Sequence, residues 1–421
     1  MGTEFLKIKE VDEAKEIIGN LFDELYPLKS DIVSIEDSYN HVTFKNIISS
    51  IDLPPFNRSL MDGFAVKSED TFGASDESPK ILKCIDSIEA GSFSEKIVKN
   101  GQCIEISTGA PIPDGADSVV MVEFTERSSE IGNSNEDNDY NNEKEDIYIL
   151  KSVAPNQDLA LKGSDIKKDK ILLHEKTKLS PDKIGVLAAQ GIKEIEVFKK
   201  PKVAVISTGN ELLCENEDIS YGKIYDVNSI AITNGANSNG AVGENKGIVK
   251  DNYQELKEKI EDSLENFDIV ICSGGTSAGV GDVLRHVLDE IGKVIIHGVS
   301  VKPGKPTIIG KVNEKLVIGL PGNPVSALII FYVFIVPNIR KLAGMSEESV
   351  EKSKAILKKR IHSPKGRMHY SLVQLKDNFA YPIVKDSGAI TSLADADGYI
   401  KIPKTTELVD EGEKVEVILF R

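Results

Sequence analysis

FDIVICSGGTSAGVGDVLRHVLDEIGKVIIHGVSVKPGKP, residues 267–306, sets the architecture. FDIVICS is a short apolar run rich in β-branched residues, which predicts a buried strand. VLRHVLDEI carries apolar residues at helical spacing, and KVIIHGVSV reads as a strand again. Strand, glycine loop, helix and strand in that order build an open α/β sheet, whose ligands bind beyond the carboxyl ends of its strands. Upstream, KVAVIST at 202–208 is another buried strand and a helix is expected from about Asn228. AVGENKGIV is extended, and DNYQELKEKIEDSLEN is helical with Asp251 as its expected cap. Downstream, PVSALIIFYVFIVPNIRKL at 324–342 is a long apolar helix. The alternation predicts a central three-layer α/β/α domain with a mostly parallel sheet.

The flanks read differently. Residues 11–26 place Val11, Ala14, Ile17, Ile18, Leu21, Phe22 and Leu25 on one helical face. Short strands broken by turns over 77–126 predict β-rich N-terminal modules. AILKKRI, YSLVQL, GYIKIP and KVEVILF predict a small C-terminal β-barrel. Ser180 and Pro181 start a helix that Gly191 stops. Residues 127–146 are almost devoid of apolar side chains, which predicts a mobile loop between two strands.

The chain has 421 residues, enough for several domains, and a net charge of −16. That charge excludes a nucleic-acid partner, whose affinity would come from lysines and arginines on phosphates. No apolar run of about 18 residues is read as a membrane span. With a charged N-terminus lacking a secretory core, this leads us to expect a cytoplasmic protein. Cys84, Cys103, Cys214 and Cys272 have no CxxC spacing and lie in or beside apolar runs, so buried thiols are expected.

Chemistry concentrates at the strand ends. Beyond Ser273, Gly274 and Gly275 let the backbone approach a ligand, Ser277 offers a hydroxyl, and Asp282 stands before the next helix. VKPGKP stiffens Lys302 and Lys305 on a proline turn, suited to neutralising an oxyanion. In LPGNPVSA, Gly322 makes the turn, Asn323 caps and Pro324 opens the helix, leaving amides outward. ISTGNELL and IYDVNS put Glu211 and Asp226 at loop positions on the same sheet edge. Two carboxylates beside a phosphorylated ligand call for a hard cation such as Mg²⁺. Asp62 in SLMDGFAV and Thr108 in ISTGAPIPDGAD lie on turns. Each also reads as an ordinary turn residue. The chain has no GxxxxGK[ST] loop, no GxGxxG after the first strand and no HExxH.

In order along the chain, DLPPFNRSLMDGFAV, STGAPIPDGADSVVMVE, KGSDI, STGNELL, IYDVNS, SGGTSAGVGD, VKPGKP, LPGNPVSA, KGR at 365–367 and DSGAITSLADADGYIKIP resemble the molybdopterin molybdenumtransferase family, which includes the E domain of gephyrin. The resemblance implies an enzyme that takes adenylylated molybdopterin and molybdate, or tungstate, inserts the metal into the dithiolene and releases AMP. Mg²⁺ would be held by Glu211, Asp226 and Asp282. It implies a homodimer of four-domain chains: 1–50 with 148–179 as an elongated linking and dimerisation domain, 51–147 β-rich, 180–342 binding the pterin, and 343–421 the barrel. By motif match, Asp62, Thr108, Asp165, Glu211, Asp226, Asp282, Lys302 and Lys305 take catalytic positions. Ser273, Gly274, Gly275, Ser277, Pro321, Gly322, Asn323, Pro324, Arg367 and Ser387 take binding positions. The molybdopterin adenylyltransferase is a candidate partner. Asn210 departs from the aspartate usual in STGDEL, and the acidic insertion is long for the family. Two alternatives stay open: adenylylation of molybdopterin by ATP, and a scaffold that keeps the fold without the reaction.

Overall fold

The computed structural model describes residues 8–131, 145–213, 217–274, 283–345, 351–385 and 388–420. The chain divides into two units, Asn46–His174 and a second made of Met1–Lys45 with Glu175–Arg421.

In the Asn46–His174 unit, the main sheet is built from β1 (Gly63–Val66), β2 (Lys80–Ile88), β3 (Gln102–Ile106), β4 (Ser118–Met121), β5 (Thr125–Arg127) and β6 (Asp146–Ile149). Their order is β4-β1-β3-β2-β6-β5, and only β2 and β3 run parallel. Side chains alternate between two cores, Phe64, Val66 and Cys103 on one face and Ala65, Ile104 and Ile106 on the other, as a period of two requires. The acidic insertion leaves from β5 through a helical turn, Ser128–Ile131, and returns in β6, which pairs antiparallel with β5. Residues 132–144, most of the predicted loop, lie outside the described residues.

The other unit opens with α1 (Val11–Leu25), which buries Val11, Ala14, Ile18, Phe22 and Leu25 at the predicted spacing. Tyr26 anchors its end: the hydroxyl donates to Asp268 O at 2.6 Å and accepts from Leu316 N at 2.9 Å. Helix α2 (Pro181–Ala189) starts at the Ser180–Pro181 pair as read.

The α/β sheet comprises β7 (Lys202–Thr208), β8 (Val242–Val249), β9 (Ile269–Ser273), β10 (Lys293–His297), β11 (Ile308–Val312) and β12 (Lys315–Leu320). The order is β8-β7-β9-β12-β11-β10. The first three junctions are parallel and the last two antiparallel, because β11 and β12 form a hairpin turned at Asn313 (φ 52°). Alternate strand residues face opposite layers. Val203, Val205, Ile269, Ile271 and Ile318 join Ile232 and Ala236 of α3 (Asn228–Ser238) on one side. Ala204, Ile206, Val270 and Cys272 meet Leu256 and Ile260 of α4 (Tyr253–Asn266) and Leu284 and Leu288 of α5 (Val283–Ile291) on the other. The cap of α4 is Asn252, not the expected Asp251. Asn252 has extended backbone and its side chain accepts from Gln254 N and Glu255 N at 2.9 and 3.2 Å.

The apolar helix runs as α6 (Pro324–Ile330), a π-helical segment Phe331–Ile335, and α7 (Val336–Leu342). Pro337 has no N–H to donate and its ring crowds the carbonyl one turn back, so the wider π turn precedes it. By length and composition this helix is enough to cross a bilayer, which corrects the sequence reading of no such run, but 67% of its apolar window is buried inside the protein. It is the core helix against the sheet, contributing Ala327, Ile330, Phe331 and Ile339. The C-terminal strands β13 (Lys352–Leu357), β14 (Met368–Lys376), β15 (Phe379–Pro382), β16 (Gly398–Ile402) and β17 (Lys414–Leu419) close into a barrel in the order β14-β15-β13-β17-β16, with β16 pairing back onto β14. The chain thus has the expected multidomain α/β fold. Cys103 and Cys272 are buried as expected, whereas Cys84 is only half-buried and Cys214 lies outside the described residues.

Candidate active site

At the carboxyl ends of β7, β9 and β12 the chain leaves an apolar layer and turns. A cavity of about 780 Å³ opens there, lined by Glu211, Asp226, Ser273, Gly274 and the whole Pro321–Pro324 turn. Thr208, Asn228 and Asp251 line it too. Gly274 is indispensable to the turn. It sits at φ 103°, and a Cβ there would lie 2.2 Å from Thr208 O, so the ends of β7 and β9 approach only through glycine.

Asp226 is held from three sides. Its Oδ1 accepts from Ser207 Oγ at 2.8 Å and Ser229 N at 3.2 Å, and its Oδ2 accepts from Ser229 Oγ at 2.5 Å. The carboxylate therefore ties the end of β7 to the first turn of α3, where an anion also complements the helix dipole. Asn228 performs a second tie that the sequence reading missed, although it lies inside IYDVNS. Its Nδ2 donates to Ser273 Oγ at 2.8 Å and Gly322 O at 2.7 Å, joining two glycine turns. Asn228 Oδ1 and Thr208 Oγ1 are buried at this cavity with no hydrogen-bond partner. Orphaned buried acceptors and hydroxyls of this kind are completed by water or ligand. The donor set is all oxygen: the Glu211 and Asp226 carboxylates with the Thr208 hydroxyl. Oxygen donors of this kind suit Mg²⁺, which takes one or two carboxylates and fills its other positions with water and substrate phosphate; among the described residues no group of three or more acidic, imidazole or thiol side chains gathers to hold a metal.

A second cavity, about 660 Å³, shares Pro306 with the first. Lys302, Lys305 and Arg367 line it, joined by Lys385 and Ser326. Among the described residues, Lys302, Lys305 and Arg367 have no ion-pair partner, while Lys385 pairs with Asp395 at 3.3 Å. Three such cations in a chain of net charge −16 give this cavity a locally positive lining. The short strand Val301–Lys302 pairs with β14, setting Lys302 beside His369. Burial, and then the Lys302 charge, push the His369 imidazole down to about 4, so it stays neutral at neutral pH.

In the Asn46–His174 unit, Asp62 and Thr108 come together from separate turns. Asp62 Oδ1 accepts from Thr108 N at 2.6 Å and Thr108 Oγ1 at 2.9 Å, and these bonds hold the exposed carboxyl below its ordinary range. The pairing is delivered by β1 and β3, which run antiparallel from Gly63↔Ile106 to Val66↔Cys103. A Cβ at Gly63 would meet Val120 O at 2.0 Å, which explains glycine after Asp62. Asp165 is exposed on the KGSDI turn, its N–H donating to Leu53 O at 3.0 Å. Gly275, Ser277, Asp282 and Ser387 lie outside the described residues.

These observations define a multidomain α/β protein with a carboxylate-lined cavity adjoining a cationic one at the ends of its parallel strands. Residues 9–191 match the MoeA N-terminal region (domain I and II), 204–341 the probable molybdopterin binding domain, and 354–420 the MoeA C-terminal region (domain IV). The chain is 34% identical over 417 residues to a putative molybdopterin biosynthesis protein of Methanocaldococcus jannaschii, covering 96% of each. It is 32% identical over 415 residues to a molybdopterin molybdenumtransferase of Staphylococcus aureus, covering 96% of this chain and 94% of that one. The crystal structure of a molybdopterin biosynthesis MoeA protein from Pyrococcus horikoshii is similar with a TM-score of 0.81 and 37% identity, over 99% of this chain and 100% of that one. The chain belongs to the MoeA family of molybdopterin molybdenumtransferases, transferases of molybdenum cofactor biosynthesis.

Proposed function

We propose that this enzyme takes adenylylated molybdopterin and molybdate, or tungstate, inserts the metal into the dithiolene and releases AMP in a Mg²⁺-dependent reaction. The observation that carries the reading is the adjacency of the two cavities: one offers glycine turns and carboxylates, the other three uncompensated cations. In this reading the turns at Ser273–Gly274 and Pro321–Asn323 bind the pyrophosphate, and Gly275 and Ser277 are assigned to it as well. Pro324 opens α6 at a position whose N–H would have no partner within the helix. Lys302, Lys305 and Arg367, with Ser387, bind and orient the oxyanion substrate and offset charge that develops on it. Glu211 and Asp226, with Asp282, are the ligands we assign to Mg²⁺, which when bound polarises the pyrophosphate. Asn228 keeps the two glycine turns in register, so the phosphate-binding amides are fixed before substrate arrives.

We assign the working form as a cytoplasmic homodimer in which Asp62 and Thr108, with Asp165, come from the second chain to the metal-insertion chemistry. Residues 1–50 with 148–179 are the segment we assign to dimerisation, 51–147 the β-rich domain, 180–342 the pterin-binding domain and 343–421 the barrel. The molybdopterin adenylyltransferase is the partner we expect to hand over substrate, since its product is the adenylylated pterin. The test is incubation of purified protein with adenylylated molybdopterin, Mg²⁺ and each oxyanion while AMP is followed. Oxyanion-dependent AMP release is the expected result. ATP consumption with plain molybdopterin, and no AMP from the adenylylated form, would overturn the reading. Asp62→Ala should suppress the oxyanion-dependent release, and unchanged release would remove Asp62 from the mechanism.

A further inference from the structure

Cys84 and Cys103 have no sequence spacing that pairs them, yet the β2–β3 register places them directly opposite each other. In-register neighbours on adjacent strands point to the same face, and both side chains pack in the core formed with Phe64, Val66 and Val120. Adjacent strands stand about 4.8 Å apart, inside the Cα separation of about 4.4–6.8 Å that a disulfide spans. No disulfide joins them in this structure. They are not equivalent. Cys103 is fully buried, whereas Cys84 is half-buried and its Sγ donates to Asp86 O at 3.3 Å. The β2–β3 ladder also breaks immediately after Cys84, resuming at Ser87, so the strand is irregular beside the half-buried thiol.

We propose that Cys84 and Cys103 form a redox-active dithiol, with Cys84 as the attacking thiol toward a low-molecular-weight disulfide and Cys103 as the resolving thiol. In the first step the Cys84 thiolate attacks one sulfur of R–S–S–R. That bond breaks, a mixed disulfide forms on Cys84, and R–S⁻ leaves and takes up the proton Cys84 has lost. In the second step Cys103 Sγ attacks Cys84 Sγ, expelling the other R–S⁻, which takes the Cys103 proton. The two protein thiols lose two electrons and two protons, and the small disulfide is reduced to two R–SH. The division of roles follows from the surroundings. The Cys103 hydrogen bond, followed by backbone groups of Glu105 and Asp86, brings the Cys84 thiol down to about 7 against burial, while Cys103 is pushed up. Glu105 opposes ionisation of both thiols, and Arg127 eases that of Cys103. The bond would tie β2 to β3, the strand that leads into Thr108.

The test uses the full-length reduced protein incubated with glutathione disulfide, alkylated under denaturing conditions and mapped by peptide mass. The expected product is a peptide pair joined through Cys84 and Cys103, two hydrogens lighter than the reduced peptides and restored by dithiothreitol. Cys103→Ala should arrest at a mixed disulfide on Cys84, and Cys84→Ser should leave Cys103 unmodified. The proposal is overturned if the native protein keeps both thiols alkylatable while the urea-unfolded chain is oxidised, if Cys84 bonds instead to Cys214, or if Cys103 is modified as fast in Cys84→Ser. Should Cys103→Ala fail to fold, the peptide map of the unmutated protein decides alone.

Discussion

Replacing Asp226 separates what its carboxylate does for the fold from what it does for the reaction. The wild-type side chain accepts from Ser207 Oγ, Ser229 N and Ser229 Oγ, and both serines are buried, at 1% and 0% exposure. Alanine removes an interaction that acts as a helix cap, costing about 0.5–2 kcal/mol. It also strips the acceptor from Ser207, at about 1–3 kcal/mol for a buried hydroxyl left without a partner. Ser229 Oγ is partly spared because Asn245 Nδ2 donates to it at 2.9 Å. The sum for Asp226→Ala is about 1.5–5 kcal/mol. Asparagine keeps an oxygen for Ser229 N and Ser207 Oγ and gives up the charge, so Asp226→Asn should cost about 1 kcal/mol. Urea unfolding of the three proteins measures these differences, and AMP release from adenylylated molybdopterin measures the chemistry on the same samples. Asp226→Asn is expected to fold nearly as well as wild type and to lose Mg²⁺-dependent release. An Asp226→Ala protein as stable as wild type to within about 0.5 kcal/mol, the scatter of surface substitutions, would refute the network.

Gly274→Ala should destabilise by about 2–5 kcal/mol, because strain at positive φ and a contact with backbone rather than a flexible side chain add together, and equal midpoints in urea would contradict this. Asn252→Ala should cost about 0.5–2 kcal/mol by thermal unfolding, whereas Asp251→Ala should leave the α4 cap intact. His369 has a folded value of about 4, below its ordinary 6.5, so its contribution is full above pH 6.5 and declines as pH falls toward 4. The loss is on the order of 3 kcal/mol, and His369→Phe should flatten that limb of the stability–pH curve. The Asp62 carboxyl is likewise depressed, so the Asp62–Thr108 turn is secure above the ordinary carboxylate range and loosens as pH drops through the lower folded value. Thr108→Val should raise that value in a carboxyl NMR titration, and an unmoved titration would contradict the hydrogen-bond origin.

Local pattern reached far in this chain because period and chemistry agree within each segment. The strand KVAVIST, the helix from Asn228 and the α1 face formed where the apolar spacing put them. Misreadings occurred where neighbouring residues offered equivalent chemistry. Asp251 and Asn252 are both good caps, and only the backbone geometry at Asn252 aims its oxygen at the free amides. The apolar run at 324–342 has the composition of a bilayer span, and its burial against α1, α3 and the sheet is what makes it a core helix. Lys302 and Lys305 were legible as held cations, but their convergence with Arg367 required the barrel strand β14 to be placed beside Val301–Lys302.

The sequence by itself determined which segments are strands and helices, where each turn needs glycine or proline, and which turns carry carboxylates and which carry lysines. All of these follow from side-chain periodicity and backbone sterics over a few residues. Only the tertiary structure decided that Asp62 meets Thr108, that Asn228 bridges Ser273 to Gly322, and that Cys84 faces Cys103. Each of these contacts joins residues far apart in the chain. Their distance is set by strand order and register, which depend on how whole hydrophobic faces pack and not on any property of the residues that meet.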